Sequence, residues 1–154
     1  TVDIATRLDI DATAPAFMRA VASLDAAAVR QLDQAGIEKG LGELVRLRAS
    51  QINGCAYCVS EHSRDALTAG EPAGRIAAVA VWRESPFFTA RERAAFALTE
   101  TMTRVAETHV SDADWHEASA SLTEAELSAL VALIVAINAW NAIGVTTRVW
   151  APTQ

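Results

Sequence analysis

Apolar residues recur every three or four positions along almost the whole chain, which is the spacing of one face of an α-helix. The pattern predicts helices over about 11–34, 38–52, 55–69, 73–84, 89–107, 111–115 and 123–145. No segment of the sequence keeps the alternation of apolar and polar residues that a half-buried strand shows. The sequence therefore predicts an all-α fold of about seven helices, which we expect to form one compact domain over residues 1–154.

Local signals place several helix ends. Thr89 and Thr123 each stand three residues before a glutamate, which is the capping-box pattern of a helix start. The Asn53-Gly54 pair interrupts the helical pattern between the second and third helices. We therefore expect Cys55 to be the first residue of the third helix.

The last predicted helix is apolar almost all round from Leu127 to Val145. A helix of this kind is buried at the centre of a bundle or in a subunit interface. Its length approaches that of a membrane span, but Asn138 and Asn141 interrupt the run and the other helices are amphipathic. We interpret it as a core helix, in which the two asparagines satisfy buried polar groups, and we expect no membrane partner.

Composition narrows the class of protein. The apolar fraction of 51% suits a domain that covers part of its surface in a homo-oligomer. The net charge of -6, without any run of basic residues, argues against nucleic acid as a partner. No signal-peptide pattern opens the sequence. Together with the cysteine usage, this predicts a reducing, cytoplasmic location.

The residues with candidate chemistry cluster around the only two cysteines, Cys55 and Cys58, which form a C-x-x-C pair. His62 follows one helical turn after Cys58 and shares its helix face. A helix N-terminus favours thiolate over thiol, and the thiolate is the nucleophile. One thiolate can attack an electrophilic oxygen or sulfur and the second can close a disulfide, while His62 takes up a proton. The spacing therefore predicts two-electron thiol chemistry.

A zinc site is the main alternative for these residues. Cys55, Cys58, His62 and a carboxylate offer four ligands of the kind that zinc prefers. Structural zinc sites usually draw on a second Cys/His pair, and this chain has no further cysteine, so we favour redox chemistry. We expect the other histidines, His109 and His116, to be surface or packing residues.

Glu43 gives no local sign of a role. It lies off the apolar stripe of the second helix, so periodicity alone predicts a solvated carboxylate.

The wider pattern resembles a known family. Glu43 stands twelve residues before Cys55, and the stretch 44–58 reads LVRLRASQINGCAYC. This resembles the core motif of the AhpD-like alkylhydroperoxidases of the carboxymuconolactone decarboxylase superfamily. The similarity extends to further segments: Ala69-Gly-Glu71, Trp82-Arg-Glu-Ser-Pro-Phe-Phe-Thr89, Arg91-Glu-Arg93, Glu107-Thr-His-Val110 and Ile137-Asn-Ala-Trp-Asn141. It covers about residues 15–150.

The resemblance implies an all-helical fold, assembly into homotrimers or homohexamers, and a catalytic set. In that set Cys58 attacks a peroxide, Cys55 resolves the product, and Glu43 with His62 forms a proton relay. This requires Glu43 to point inward, and we follow the resemblance over the periodicity. Which cysteine attacks first stays open, because the helix N-terminus favours Cys55 and the nearby His62 favours Cys58.

Two positions depart from the family pattern. Better-studied peroxidase relatives carry a histidine between the cysteines, where this sequence has Tyr57. Relatives with the Ile-Asn-Ala-Trp-Asn pattern often continue with arginine, where this chain has Ala142. The first departure touches the proton network and leaves the efficiency of a peroxidase open.

We therefore predict a thiol-dependent peroxidase that reduces organic hydroperoxides through a Cys55–Cys58 disulfide. A cellular dithiol, such as a lipoyl group, would reset the disulfide, and no metal or organic cofactor is required. The alternatives are a redox sensor that cycles its disulfide without rapid turnover and a lactone-acid decarboxylase. The C-x-x-C pair argues against the decarboxylase, because that branch of the superfamily does not depend on it.

Overall fold

The computed structural model describes residues 1–152 and is helical wherever it is regular. Over these residues it has nine α-helices and one 3₁₀ helix. In chain order the elements are α1 (Ile10–Thr13), α2 (Pro15–Ala35), α3 (Lys39–Asn53), α4 (Ala56–Thr68), α5 (Ala73–Ala78), the 3₁₀ helix (Val79–Glu84), α6 (Ala90–Thr103), α7 (Val105–Thr108), α8 (Asp112–Ser119) and α9 (Glu124–Thr147). The all-α prediction is confirmed.

The predicted helix starts agree with the structure because the side chains that cap them form the expected hydrogen bonds. Thr89 and Thr123 close capping boxes with Glu92 and Glu126 at the starts of α6 and α9. Ser111 caps α8 in the same way. Gly54 ends α3 in the left-handed conformation, with φ of 70°, which glycine adopts without steric cost.

The helix count differs from seven because some predicted helices are divided. Ala14 leaves the helical region, with φ of -135°, because the proline that follows it disfavours helical backbone at this position. The predicted helix over 73–84 continues beyond Ala78 as a 3₁₀ turn, with a kink at Val81. The helix predicted to reach 107 is interrupted at Arg104.

α3 lies at the centre of the fold and packs against α4, α6 and α9, while α9 also packs against α2. Most of the largest fully buried side chains come from α3, α6 and α9, among them Leu44, Val45, Leu47, Phe96, Leu98, Leu130, Leu133, Ile134 and Ile137. Among the described residues, α9 alone has the length and apolar composition to cross a membrane. Its face towards α2 and α3 belongs to the core, as predicted.

In α2, the helical spacing of Phe17, Val21, Leu24, Ala28 and Leu32 predicts one buried apolar face, and this prediction is partly wrong. Val21, Ala28 and Leu32 are buried as expected, but Phe17 and Leu24 are 54% and 43% exposed. Met18 is buried in their place. The buried stripe is thus rotated towards Met18, and it is narrower than the apolar pattern of the sequence.

We predict that Phe96→Ala lowers the free energy of unfolding by about 3–5 kcal/mol, because it opens a cavity in the core. Phe96 is 0% exposed and packs against the rings of Trp82 and Phe88. Phe87→Ala is the matched control, because Phe87 is 53% exposed and its side chain leaves no internal cavity. Urea unfolding of both variants measures the difference, and equal losses would contradict this description of the core.

Candidate functional site

The turn between α3 and α4 places the cysteines. The backbone N–H of Cys55 donates to the carbonyl of Ser50 across the left-handed Gly54, with an N–O distance of 3.1 Å. Cys55 is the N-cap of α4, so the helix begins one residue later than predicted, at Ala56. The Sγ of Cys55 accepts the backbone N–H of Cys58 at 3.3 Å. A cysteine sulfur at a helix N-terminus receives the partial positive charge that stabilises a thiolate.

Cys55 and Cys58 form a disulfide in this structure. Both residues are buried, with exposed fractions of 2% and 3%. The C-x-x-C spacing therefore allows the two cysteines to form the small disulfide ring that the sequence predicts. With both sulfurs bonded to each other, this form offers no thiolate to the zinc site considered as an alternative.

Glu43 is buried, with an exposed fraction of 5%, so the prediction of a solvated carboxylate is wrong. Its Oε2 lies 2.8 Å from Nδ1 of His62. The side of α3 that periodicity assigns to solvent faces α4, because α3 packs against other helices on more than one side. The inward position implied by the family resemblance is confirmed, while the catalytic roles of these residues stay predictions.

A cation holds the other oxygen of the same carboxylate. Arg46 donates to Oε1 of Glu43 at 3.1 Å and to Oδ1 of Asp25 at 2.9 Å. Burial raises the pKa of Glu43, but the His62 hydrogen bond and the charge of Arg46 together outweigh burial and hold the pKa below its ordinary value. Glu43 is therefore ionised at neutral pH.

An ionised Glu43 determines how His62 can exchange protons. The carboxylate accepts the Nδ1–H of the imidazole, which leaves Nε2 as the nitrogen that takes up or releases a proton. This is the arrangement in which a carboxylate orients a histidine and fixes which ring nitrogen carries the hydrogen. His62 can thus act as a base towards a neighbouring thiol and afterwards as an acid.

Arg46 and Asp25 are parts of the site that the sequence prediction missed. Arg46 stands three residues after Glu43 on α3, and that spacing places two helical side chains side by side. Its helical spacing could therefore have indicated this contact. Asp25 lies on α2, 21 residues away in sequence from Arg46, and no local signal connects the two.

Three asparagines fix the end of α3 against α9. Asn53 donates to the side-chain oxygens of Asn138 and Asn141 at 2.9 and 3.0 Å. Asn141 in turn donates to the hydroxyl of Ser50 at 3.0 Å. The prediction that Asn138 and Asn141 satisfy buried polar groups is confirmed, and their hydrogen bonds hold the turn that precedes Cys55.

A cleft of about 620 Å³ opens beside Cys58, and we call it the first cleft. Cys58 and His62 line it together with three aromatic residues, Tyr57, Trp140 and Trp150. The Trp150 ring lies 5.7 Å from that of Tyr57 and 5.6 Å from that of Trp140, measured between centroids. In the first cleft, Cys58 and His62, both predicted to be catalytic, therefore lie beside a wall of three aromatic side chains.

Tyr57 occupies the place of the histidine that better-studied relatives carry. Burial, followed by the negative charge of Glu61, raises the pKa of the Tyr57 phenol. The phenol is therefore neutral at working pH, and it can donate a hydrogen bond but does not act as a base. A proton relay through His62 would therefore have no second imidazole between the cysteines in this chain.

Among the residues that the structure describes, one group has metal-ligand chemistry. Glu43, His62 and Asp65 offer donor atoms that all lie within 4.8 Å of one another. Glu43 already binds the guanidinium of Arg46, and this positive charge opposes a cation at the same carboxylate. His109 and His116, predicted as surface or packing residues, are both exposed.

Sequence comparison identifies related chains. The sequence profile of the carboxymuconolactone decarboxylase family matches residues 15–101. The uncharacterised protein YdfG of Bacillus subtilis is 36% identical over 112 residues, which cover 73% of this chain and 76% of that protein.

Solved structures with the same fold are also found. A protein of unknown function from Agrobacterium tumefaciens, ATU0492, for which a role as the antioxidant defence protein AhpD has been suggested, superposes with a TM-score of 0.88. It is 33% identical, and the match covers 97% of this chain and 100% of that one. The debrominase Bmp8 in complex with 2,3,4-tribromopyrrole has a TM-score of 0.73 at 19% identity, covering 92% of this chain and 74% of its own.

We predict that Glu43→Gln lowers the free energy of unfolding by about 1–3 kcal/mol at neutral pH, because it removes a charged hydrogen-bond partner of His62 and Arg46. The folded-state pKa of Glu43 is depressed, so its contribution is present above the unfolded-state pKa and is lost as pH falls through the folded-state value. The difference between wild type and variant should therefore shrink on acidification. Urea unfolding across the acid range measures it.

Glu84→Gln serves as the control for the change in net charge, because Glu84 is exposed. A wild-type advantage over Glu43→Gln that stays constant down to about pH 3, below the ordinary range of glutamate, would contradict the assignment of an ionised, stabilising Glu43.

Proposed function

This chain belongs to the carboxymuconolactone decarboxylase family, and we propose that it is a thiol-dependent peroxidase that reduces organic hydroperoxides. One observation carries the proposal: one cysteine of the C-x-x-C disulfide and a histidine held by a buried carboxylate line the same cleft. Cys58 and His62 both line the first cleft, and Glu43 binds His62 at 2.8 Å. The fold and the family alone would support a wider range of activities.

The proposed reaction transfers two electrons from the thiols to the peroxide. His62 takes the proton of Cys58, and the thiolate attacks one oxygen of the hydroperoxide. The O–O bond breaks, the alcohol leaves with a proton from His62, and Cys58 becomes a sulfenic acid. The thiol of Cys55 then attacks the Cys58 sulfur, which expels water and forms the disulfide.

Cys58 is the better candidate for the attacking cysteine in this scheme. It shares the first cleft with His62, whereas Cys55 does not line that cleft. Cys55 is the N-cap of α4, where the backbone N–H of Cys58 contacts its sulfur. That position suits a resolving thiol, whose nucleophilic form is stabilised by the helix N-terminus.

The walls of the first cleft support an organic substrate. Trp140 and Trp150 are half-buried and present large apolar faces, and Met18 and Pro15 also line the cleft. Burial of apolar substrate surface against such groups contributes roughly 25 cal/mol per Å². Hydrogen peroxide has no apolar surface to bury, so the cleft favours an alkyl or aryl hydroperoxide.

The remaining parts of the proposal rest on the family resemblance and on the chemistry. A disulfide cycle needs a thiol reductant, and a dithiol such as a lipoyl-type group is the proposed source. A reducing cytoplasm suits an enzyme whose resting form carries free thiols. Assembly into a homotrimer or homohexamer is proposed from the resemblance, and exposed apolar side chains such as Phe17 on α2 provide surface for it.

We predict that the reduced protein loses both thiols rapidly on mixing with cumene hydroperoxide and that Cys58→Ser abolishes this reaction. Cys55→Ser should instead stop at a Cys58 sulfenic acid, because the resolving thiol is missing. Stopped-flow kinetics and dimedone labelling measure these outcomes. Slow oxidation that does not depend on hydroperoxide concentration would favour a redox sensor over an enzyme.

We predict that Trp140→Ala raises the KM for cumene hydroperoxide by about tenfold, because the loss of one aromatic wall removes roughly 1–2 kcal/mol of apolar binding. The rate constant for hydrogen peroxide should stay nearly unchanged. Steady-state kinetics with both peroxides give the ratio. An equal effect on both would show that Trp140 supports the fold of the site and does not select the substrate.

A further inference from the structure

The two sulfurs of the disulfide belong to residues that line two different clefts. Cys58 lines the first cleft, which also holds His62. Cys55 lines a second cleft of about 540 Å³, between the start of α4 and the C-terminal end of α9. Tyr57 and Trp150 line both clefts, so these two residues stand between them. A molecule bound in one cleft therefore meets a different cysteine from a molecule bound in the other.

In the second cleft, Gly144 of α9 lies beside the sulfur of Cys55. A Cβ atom on Gly144 of α9 would lie only 3.1 Å from the Sγ of Cys55, closer than an ordinary van der Waals contact. Glycine at this position therefore leaves space beside the sulfur, which the ring of Trp150 borders on another side. The segment before α1 is held over the same end of α9, because the N–H of Arg7 donates to the carbonyl of Thr147 at 2.8 Å.

We propose that the reducing dithiol enters the second cleft and attacks Cys55, while the hydroperoxide uses the first cleft and Cys58. This inference rests on the proposed function, since it assigns the second half of the same disulfide cycle. A thiolate attacks a disulfide along the S–S axis, from the side opposite the sulfur that leaves. An approach to Cys55 is therefore an approach from the side away from Cys58, and the second cleft is the one that Cys55 lines.

The chemistry of the leaving group favours the same direction. Disulfide exchange is faster when the departing sulfur is stabilised as a thiolate. Attack on Cys55 expels Cys58, which shares a cleft with His62 and its partner Glu43. An imidazolium held by a carboxylate can stabilise that thiolate and give it a proton. Attack on Cys58 would instead place the incoming reductant in the cleft assigned to the hydroperoxide.

The exchange balances in two steps. One thiolate of the dithiol bonds to Cys55, the Cys55–Cys58 bond breaks, and Cys58 leaves as a thiolate that is then protonated. The second thiol of the reductant attacks its own sulfur in the mixed disulfide and expels Cys55. The backbone N–H of Cys58, which contacts the Cys55 sulfur at 3.3 Å, stabilises this second leaving group. The reductant becomes a cyclic disulfide, and two electrons and two protons pass to the protein.

The rim of the second cleft indicates the chemical class of the reductant. Val2, Ile4 and Val145 line it and are 84%, 62% and 40% exposed, so the entrance offers apolar surface beside charged residues such as Arg7 and Arg148. Such an entrance suits a dithiol carried on a slender aliphatic chain.

The first test locates the attacked sulfur directly. Oxidised wild-type protein is mixed briefly with the monothiol 2-mercaptoethanol, quenched with iodoacetamide, and digested. Tandem mass spectrometry of the peptide that contains both cysteines then places each modification. The proposal expects the mercaptoethanol adduct on Cys55 and the alkyl group on Cys58. The reverse assignment would overturn it.

The second test separates the two half-reactions. Gly144→Ala should lower the rate constant for disulfide reduction by dihydrolipoamide about tenfold or more, because it crowds the approach to Cys55. The oxidation of the reduced variant by cumene hydroperoxide should change by less than about twofold, since Gly144 does not line the first cleft and its Cβ would make only ordinary van der Waals contact with Trp150. Gly74→Ala is the matched control, because a Cβ at Gly74 meets no atom within 4 Å. Equal losses in both half-reactions of a folded Gly144→Ala protein would contradict the proposal.

Failure of this inference is distinguishable from failure of the proposed function. If hydroperoxide does not oxidise the reduced protein, the peroxidase proposal falls. The trapping experiment begins from the disulfide and needs no peroxide, so its result still decides which cysteine a thiol attacks.

Discussion

The site depends on one buried hydrogen bond, between the carboxylate of Glu43 and Nδ1 of His62. A carboxylate with an exposed fraction of 5% is costly to keep ionised unless its charge is compensated. Here Arg46 contacts Oε1 of the carboxylate and His62 contacts Oε2, and together they compensate the charge. The carboxylate in turn orients the imidazole and leaves Nε2 for proton transfer. The proposed activation of Cys58 follows from this arrangement.

The fold holds Glu43 and His62 at hydrogen-bonding distance. Glu43 belongs to α3 and His62 to α4, so their distance depends on the turn that joins these helices. Gly54 permits the turn, and Asn53 ties it to Asn138 and Asn141 of α9. α9 is apolar on nearly all sides, and its two asparagines fix the position of this turn. Their hydrogen bonds connect the core of the fold to the geometry of the site.

Much of this was accessible from the sequence, and the limits have physical reasons. Helix starts at Thr89 and Thr123 were predictable because capping is a local interaction. The C-x-x-C pair with His62 was predictable because all three lie within two turns of one helix. The inward position of Glu43 was not, because it depends on how α3 packs against α4; only the family resemblance pointed to it. Asp25 and the second cleft depend on contacts between distant segments, which periodicity does not reveal.

The most direct test of the central claim is the reactivity of Cys58 in the reduced state with and without the Glu43 carboxylate. The rate of alkylation by iodoacetamide at neutral pH reports the thiolate form of Cys58 when Cys55→Ser removes the other thiol. If Glu43 activates Cys58 through His62, adding Glu43→Gln to Cys55→Ser slows alkylation by about tenfold or more. Equal alkylation rates in the two proteins would contradict the account, because the reactivity of Cys58 would then not depend on the buried carboxylate.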